Sequence, residues 1–426
     1  MNATLFLLCA TVANLLVDPT FTENDTHWSD NSPACIIESG LPTILVNPDD
    51  EIAFPAWYQD FSVAPGTVIE ATVEGFTTGT TRGYGAYCSI SWFDAENKRI
   101  QFDQSGPISL NNTWSQLTVR SVAPENAIKG RFFLLLNGRG KAQFRSPVLR
   151  VLQAPRAVDL ASTVTLNLND TPLPHPLFGF GAEDDGWFYN TLNRDKGVDD
   201  TAIAIREQRI RDMGMDWVRM FFWYRDWNPS GDLKSFTFNT DNMESHYKSL
   251  ALYQELGVDI TVTGVEWGVK DPFNPPEDLA HAIGELFEEL IIRRGFTCIK
   301  HWILTNEPNV SFHQKGGTFE SYTQIHRRVR DEFKRRNLDV KIIGSDDTNG
   351  GLNWFQQCVS TPEYAEACDA FVSHRYLKHD ALNLMPWFFK DRHDAMTSAG
   401  VQDKPLLVAE FGFQDDRSAP APCRTR

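Results

Sequence analysis

From residue 177 to residue 412 the sequence alternates between short apolar runs and longer amphipathic stretches, seven times in succession. The apolar runs are Leu177–Ala182, Trp217–Phe222, Val258–Gly264, Ile299–Thr305, Val340–Ser345, Ala370–Ser373 and Pro405–Ala409. Each is too short for a buried helix, and its near-continuous apolarity suits a strand covered on both faces. Helical patterns lie between them at Thr201–Met213, Asn242–Leu256, Pro276–Arg294 and Thr318–Arg336, then around Tyr364 and Phe388. In the stretch from Thr318, Tyr322, Ile325, Val329 and Phe333 share one face and arginines crowd the other. Repeated strand–helix units imply a parallel sheet, because each helix carries the chain back to the starting edge. Seven in succession point to a (β/α)8 TIM barrel. A doubly wound sheet is the alternative, but no glycine-rich phosphate turn follows the first strand. Of the 426 residues only 16 follow Glu410, among them Ser418-Ala419-Pro420-Ala421-Pro422. A final helix and strand need roughly thirty, so the barrel is expected to lack its last βα unit.

The first third has a different rhythm. Residues 14–153 read as short strands and turns with no helical period, the pattern of an all-β sandwich. Val68–Val73, Ala86–Phe93, Trp114–Val119 and Arg131–Leu136 are the clearest strands, and alternation puts Ala86, Cys88, Ile90 and Trp92 on one face, with Ser89 and Ser91 on the other. Gln153-Ala154-Pro155-Arg156 reads as a linker, with the barrel domain occupying 157–426. Residues 1–13 are small and apolar and end in Thr11-Val12-Ala13, which reads as a signal peptide and predicts a secreted or periplasmic protein. A net charge of −16 argues against nucleic acid or an anionic membrane as partner. The 7 cysteines show no metal-ligand spacing; Cys358 with Cys368, and Cys35 with Cys88, are possible bridges that spacing alone does not decide.

Active sites of such barrels sit at the C-terminal ends of the strands. Collected there are Glu183, Asp184, Asp185 and Trp187 (first), Arg219, Trp223, Tyr224, Asp226 and Trp227 (second), Glu266 and Trp267 (third), and Asn306 and Glu307 (fourth). Asp346 and Asp347 follow at the fifth, His374 and Tyr376 at the sixth, and Glu410 at the seventh. Carboxylates, tryptophans and hydrogen-bonding groups suit a neutral polyhydroxylated substrate. A metal-dependent barrel hydrolase would want paired histidines at the first strand, which instead ends Gly181-Ala182-Glu183-Asp184, so neither a metal nor a cofactor is expected.

Asn306-Glu307-Pro308 and Glu410, with Arg219 and His374-Arg375-Tyr376, resemble the strand-end motifs of clan A glycoside hydrolases. Asn-Glu-Pro-Asn is similar to family 39, and the Glu-Phe-Gly and His-x-Tyr elements also suit family 5. The first domain resembles the jelly-roll carbohydrate-binding modules attached to many such enzymes. The features concerned are Asn14-Leu15-Leu16 with Trp28, Ala64-Pro65-Gly66-Thr67 and Trp92-Phe93-Asp94, with Trp57, Tyr58, Tyr84 and Tyr87 as candidate sugar platforms. The resemblance implies a monomeric retaining hydrolase of β-linked polysaccharide or oligosaccharide. Glu307 would serve as general acid and then base, with its pKa raised toward working pH, and Glu410 as nucleophile, kept ionised by Arg219 and Tyr376. Asn306 would bind the sugar 2-hydroxyl, and His374 would line the same subsite. Trp187, Trp223, Trp227, Trp267 and Trp387 are candidate stacking platforms, and Glu266 a contact for hydroxyls. Asp184, Asp185, Asp346 and Asp347 read as solvated or capping residues. The rival reading is a non-catalytic glycan-binding protein or an inactive fragment of such an enzyme.

Overall fold

A computed structural model describes residues 14–21, 27–50, 54–108, 112–155, 179–266, 273, 275–312, 317–348 and 351–413, the side chains of 81–84, 311, 379, 380, 383 and 413 excepted. The signal-peptide stretch, Trp267, the Tyr84 side chain and residues 414–426, where the missing last unit was inferred, lie outside them. No helix among the described residues is long and apolar enough to cross a membrane.

Eight antiparallel strands form the first domain: β1 Ser29–Asp30, β2 Cys35–Glu38, β3 Leu41–Val46, β4 Ala56–Phe61, β5 Val68–Phe93, β6 Arg99–Gln104, β7 Ser115–Val122 and β8 Lys129–Gln153. The expected strands Val68–Val73 and Ala86–Phe93 are the two ends of one long strand, β5, which pairs with β8 along most of its length. The ladder breaks register between Thr78 and Gly85, so this ribbon folds over on itself. One half pairs with β7 and β3, the other with β6 and β4, giving two facing layers from one sheet. Glycine is needed at that corner: Gly140 has φ +106, and a Cβ there would lie 2.6 Å from the Gly79 carbonyl oxygen. Ala86, Cys88, Ile90 and Trp92 fill the core between the layers, as alternation predicts. Trp57 also belongs to that core, its indole N–H donating to the Thr43 carbonyl, so it is no platform; Tyr87 is buried, and Tyr58 lies under the Arg131 guanidinium. Cys35, Cys88, Cys358 and Cys368 are all free buried thiols, so neither candidate bridge forms.

Among the described residues the second domain is a parallel sheet of seven strands: β9 Gly181–Asp185, β10 Trp217–Phe221, β11 Asp259–Thr263, β12 Ile299–Trp302, β13 Lys341–Asp347, β14 Ala370–Leu377 and β15 Leu406–Phe413. Neighbours in the sheet are neighbours in sequence, the order of a barrel wall. Strands β9 and β15 are its two edges, yet Glu183 on one and Glu410 on the other bind the same nitrogen of Arg219, so the sheet curls nearly closed. Helices wrap the outside, among them Asp200–Met213, Asp241–Leu256, Pro276–Phe287, Phe319–Arg335, Leu352–Ser360 and Met385–Ser398. A large apolar layer joins them to the outward side chains of the sheet. The inward floor is a separate, smaller cluster of Trp217, Ile303, Ile343, Ala370, Val372 and Leu407, with Ala409 packed against it.

The outer face of one sandwich layer rests on this helical shell. Val68, Val122 and Leu152 pack with Leu377, Ala381, Leu384 and Trp387. Arg120 binds Glu70 within the sandwich and Asp391 on the helix Met385–Ser398. Trp387 is thereby assigned to the junction, 5.2 Å beneath the Arg120 guanidinium, and is not a stacking platform.

Candidate active site

The apolar floor of the barrel is roofed by charge, and strand geometry explains how. Two residues beyond Trp217 on β10 alternation points Arg219 inward, and two beyond Val372 on β14 it points His374 inward, then Tyr376. On β13 and β15 strict alternation from Ile343 and Leu407 would bring Ser345, Asp347 and Ala409 inward and leave Asp346 and Glu410 outside. Both strands carry a register shift: Ser345 pairs with Val372 and Asp347 with Ser373, leaving Asp346 as an extra residue, and Ala409 is likewise passed over between Val408 and Glu410. Each bulge flips the parity, so Asp346 and Glu410 turn into the barrel. The backbone is strained where the acids gather. Glu307, Ser345 and Asp346 have φ of 50°, 68° and 49°, in the left-handed region. Such residues cost on the order of 1–3 kcal/mol each and persist where their surroundings over-determine them.

Arg219, only 1% exposed, is the hub. Its Nη1 donates to Glu410 Oε1 (2.5 Å) and Glu183 Oε2 (3.1 Å), and its Nη2 donates to Asn306 Oδ1 and Asp346 Oδ2, both at 2.8 Å. His374 is fully buried and engages acids through both ring nitrogens: Nε2 with Asp346 Oδ1 at 3.0 Å, and Nδ1 with Glu307 Oε1 at 3.3 Å and Glu410 Oε1 at 3.6 Å. Burial alone would lower its pKa, but Asp346 and Glu307 carry it up to about 10, so the ring is an imidazolium at neutral pH. Tyr376 donates to Glu410 Oε2 at 2.9 Å, and its own phenol is pushed up to about 12, first by burial and then by that carboxylate. Four carboxyl groups thus face two cations. Glu183 shows the imbalance: burial first, and then the Glu410 charge, raise its pKa against the pull of Arg219.

Glu307 departs from expectation. Burial works to raise its pKa, but hydrogen bonds from His374 and Thr348 and the imidazolium charge outweigh it, and the carboxyl is held below the ordinary glutamate value. The acid role anticipates the reverse.

Oxygens of Glu307 and Glu410 and Nδ1 of His374 all lie within 4.8 Å of one another, a grouping that a divalent cation can also use. The donor set does not suit one. A protonated imidazole has no lone pair for a metal, and Arg219 already neutralises Glu410.

An aromatic pair lies just past the ends of the first and second strands. Trp187 and Trp223, both partly exposed, meet edge to face at 5.0 Å. The Trp187 indole N–H donates to buried Asp226 (2.7 Å), which also holds His246 (3.0 Å) and accepts from Asn242 (2.7 Å). Ser245 anchors the preceding turn through the Gly186 carbonyl.

The structure therefore gathers Glu307, Glu410, Asn306, Arg219, His374 and Tyr376 into one cluster, with Trp187 and Trp223 just past the ends of the first and second strands. Glu266 is buried with 1% exposure and accepts from Thr305, which places it in the wall of the barrel. Trp227 is wholly buried, stacked with Phe236 and Phe238, and is a core residue. The acids read as solvated or capping are corrected. Asp346 and Asp347 are fully buried ion-pair partners of Arg219 and Arg392, and Asp184 pairs with Arg206; only Asp185 is exposed. The sequence does not point to the place of Asp346 between Arg219 and His374, nor to the Asp226–His246 pair behind Trp187. The one sequence signal for Asp346 was its place at the end of the fifth strand.

Neither a protein-family model nor a curated protein sequence matches the chain. Among solved structures, it is similar to the CBM22-1–GH10 modules of a Clostridium thermocellum endo-1,4-beta-D-xylanase bound to xylohexaose, at 11% identity over 94% of this chain and 83% of that one, with a TM-score of 0.40. It is similar to a GH39 beta-xylosidase from Caulobacter crescentus at 12% identity over 55% of this chain and 54% of that one, TM-score 0.40. An arabinose-bound GH51 α-L-arabinofuranosidase is similar at 11% identity over 95% and 72%, TM-score 0.28. Likenesses this distant say nothing of what this chain binds or cleaves, and the reading of its site rests on its own side chains.

Proposed function

We propose that the chain is a retaining glycoside hydrolase acting on β-linked polysaccharide or oligosaccharide. The observation that carries this is that one carboxylate oxygen of Glu307 and one of Glu410 lie within 4.8 Å of each other, against one imidazolium and one guanidinium. Retaining enzymes hold their carboxyl groups about 5–5.5 Å apart, and the double displacement requires the Glu307 and Glu410 carboxyls to work at that spacing. Glu410 attacks the anomeric carbon, its charge held ready by Arg219 and Tyr376, while Glu307 delivers a proton to the departing glycosidic oxygen. Water, deprotonated by Glu307, then attacks the glycosyl–Glu410 ester and releases the sugar with its original configuration. Asn306, turned by its hydrogen bond to Arg219, faces the sugar 2-hydroxyl. Trp187 and Trp223 stack on a sugar ring.

The lowered pKa of Glu307 favours a second reading, a glycan-binding protein without turnover, since a carboxylate in the free protein has no proton to give. Assays on a panel of β-linked glycans separate the two. Hydrolysis, with a loss of roughly 10²–10⁴-fold in Glu307→Gln and near-complete loss in Glu410→Gln, is expected. Unchanged turnover in either variant ends the mechanism, and binding without turnover by the unaltered chain establishes the second reading.

A further inference from the structure

We propose that Asp346 is the positioning residue that sets the charge of the Glu307–Glu410 pair: by binding Arg219 and His374 together, it keeps one cation against each glutamate. This deepens the hydrolase reading and rests on it for the roles of the two glutamates. Asp346 is wholly buried and lies on the inner face only because β13 bulges there. Its two oxygens are divided, Oδ2 to Arg219 Nη2 at 2.8 Å and Oδ1 to His374 Nε2 at 3.0 Å, and it also accepts from the Glu307 backbone N–H. That last bond ties it to the strained turn that presents Glu307 itself.

The groups facing His374 come from four elements: Asp346 on β13, Glu307 after β12, Glu410 on β15 and the like charge of Arg219 on β10. Glu410 is already bound at 2.5 Å by Arg219, and Glu307 is partly open to solvent. Remove the Asp346 charge, and burial and Arg219 both favour a neutral ring. A neutral His374 no longer holds Glu307 down. Asp346 thereby couples the ionisation of the acid to the architecture that holds the nucleophile.

Asp346→Asn is the informative change, because asparagine keeps the shape and tolerates a left-handed backbone as aspartate does. Two readouts follow. In imidazole NMR, His374 of the unaltered protein is expected to remain protonated through pH 8, whereas in the variant it titrates below pH 7. In kinetics on whichever p-nitrophenyl β-glycoside the chain turns over fastest, the pH dependence of kcat is expected to move with the new His374 titration and with Glu307, which a neutral His374 no longer holds down, while KM stays nearly unchanged. A variant whose His374 is still protonated at pH 8 and whose pH profile is unchanged overturns the proposal, even if its melting temperature drops. Should the variant not fold, the unaltered protein decides: a His374 that titrates below pH 7 there is equally fatal. The NMR readout needs no substrate, so failure to hydrolyse any glycoside counts against the hydrolase reading and leaves the charge-setting role to be judged on its own.

Discussion

On β13 two adjacent aspartates face opposite sides of one sheet, and both are wholly buried beside an arginine. On the outer side Asp347 accepts from Arg392 Nη2 at 2.5 Å and from Ser373 at 2.6 Å, and Arg392 binds Ser373 in turn while covering the Phe388 ring. Burial works to raise the Asp347 pKa against the pull of Arg392, Arg375 brings a second like charge beside Arg392, and helix Met385–Ser398 supplies Arg392 itself. On the inner side Asp346 belongs to a cluster of four carboxyl groups and two cations, with strained backbone beneath it and side chains of Glu307 and Glu410 that are 28% and 16% exposed. Buried charge is therefore no mark of function by itself. Carboxyl groups in excess of cations, held on strained backbone and partly exposed, are what separate the inner side from the outer.

The comparison breaks most readily at Arg392. Arg392→Leu leaves Asp347 buried without its cation, which costs roughly 3–5 kcal/mol. Thermal or urea unfolding should show that loss, while the folded variant retains the pH profile of the unaltered chain. A shifted profile would mean that the outer cluster is part of the site after all.

Much of this was legible in the sequence, for physical reasons. Runs such as Ile299–Thr305 and Ala370–Ser373 announce doubly covered strands, and a barrel rule then says where to look for chemistry. The first strand misleads because apolarity was the guide: Leu177–Ala182 attracts the assignment, whereas the structure pairs the acidic Gly181–Asp185 with β10, placing Glu183 opposite Arg219. Parity was not legible. Whether Asp346 or Asp347 faces inward depends on a bulge opposite Val372 and Ser373, a property of two strands together. The tryptophans were illegible for a similar reason. Trp223 and Trp227 are four residues apart, but only the second finds Phe236 and Phe238 to bury it.

A smaller effect is expected at the sandwich junction. Arg120, 16% exposed, links Glu70 to Asp391, and Glu70 retains Arg150 if Arg120 is truncated. Arg120→Ala should cost roughly 1–2 kcal/mol, since charged hydrogen bonds are lost from a partly screened pair. Unfolding should register it with activity per folded molecule unchanged. Altered kcat there would extend the functional cluster through the sheet.

The smallest effect has the opposite sign. Glu183 is the group whose pKa the inner cluster raises, through burial and the charge of Glu410. A carboxyl whose pKa rises on folding opposes the folded state when ionised. Below its ordinary value of 4.5 it is protonated in folded and unfolded chains alike and contributes nothing. As pH rises past that value the unfolded chain ionises first, and the folded state falls behind until its own pKa is passed. Glu183→Gln removes the charge but keeps an oxygen for Arg219. Its melting temperature should therefore exceed that of the unaltered chain at pH 8 and match it at pH 4. The gain is modest because the Glu183 side chain is 42% exposed and solvent screens it. The same substitution lowering stability at pH 8 would mean that the pull of Arg219 on Glu183 outweighs the crowding of carboxyl groups in the inner cluster.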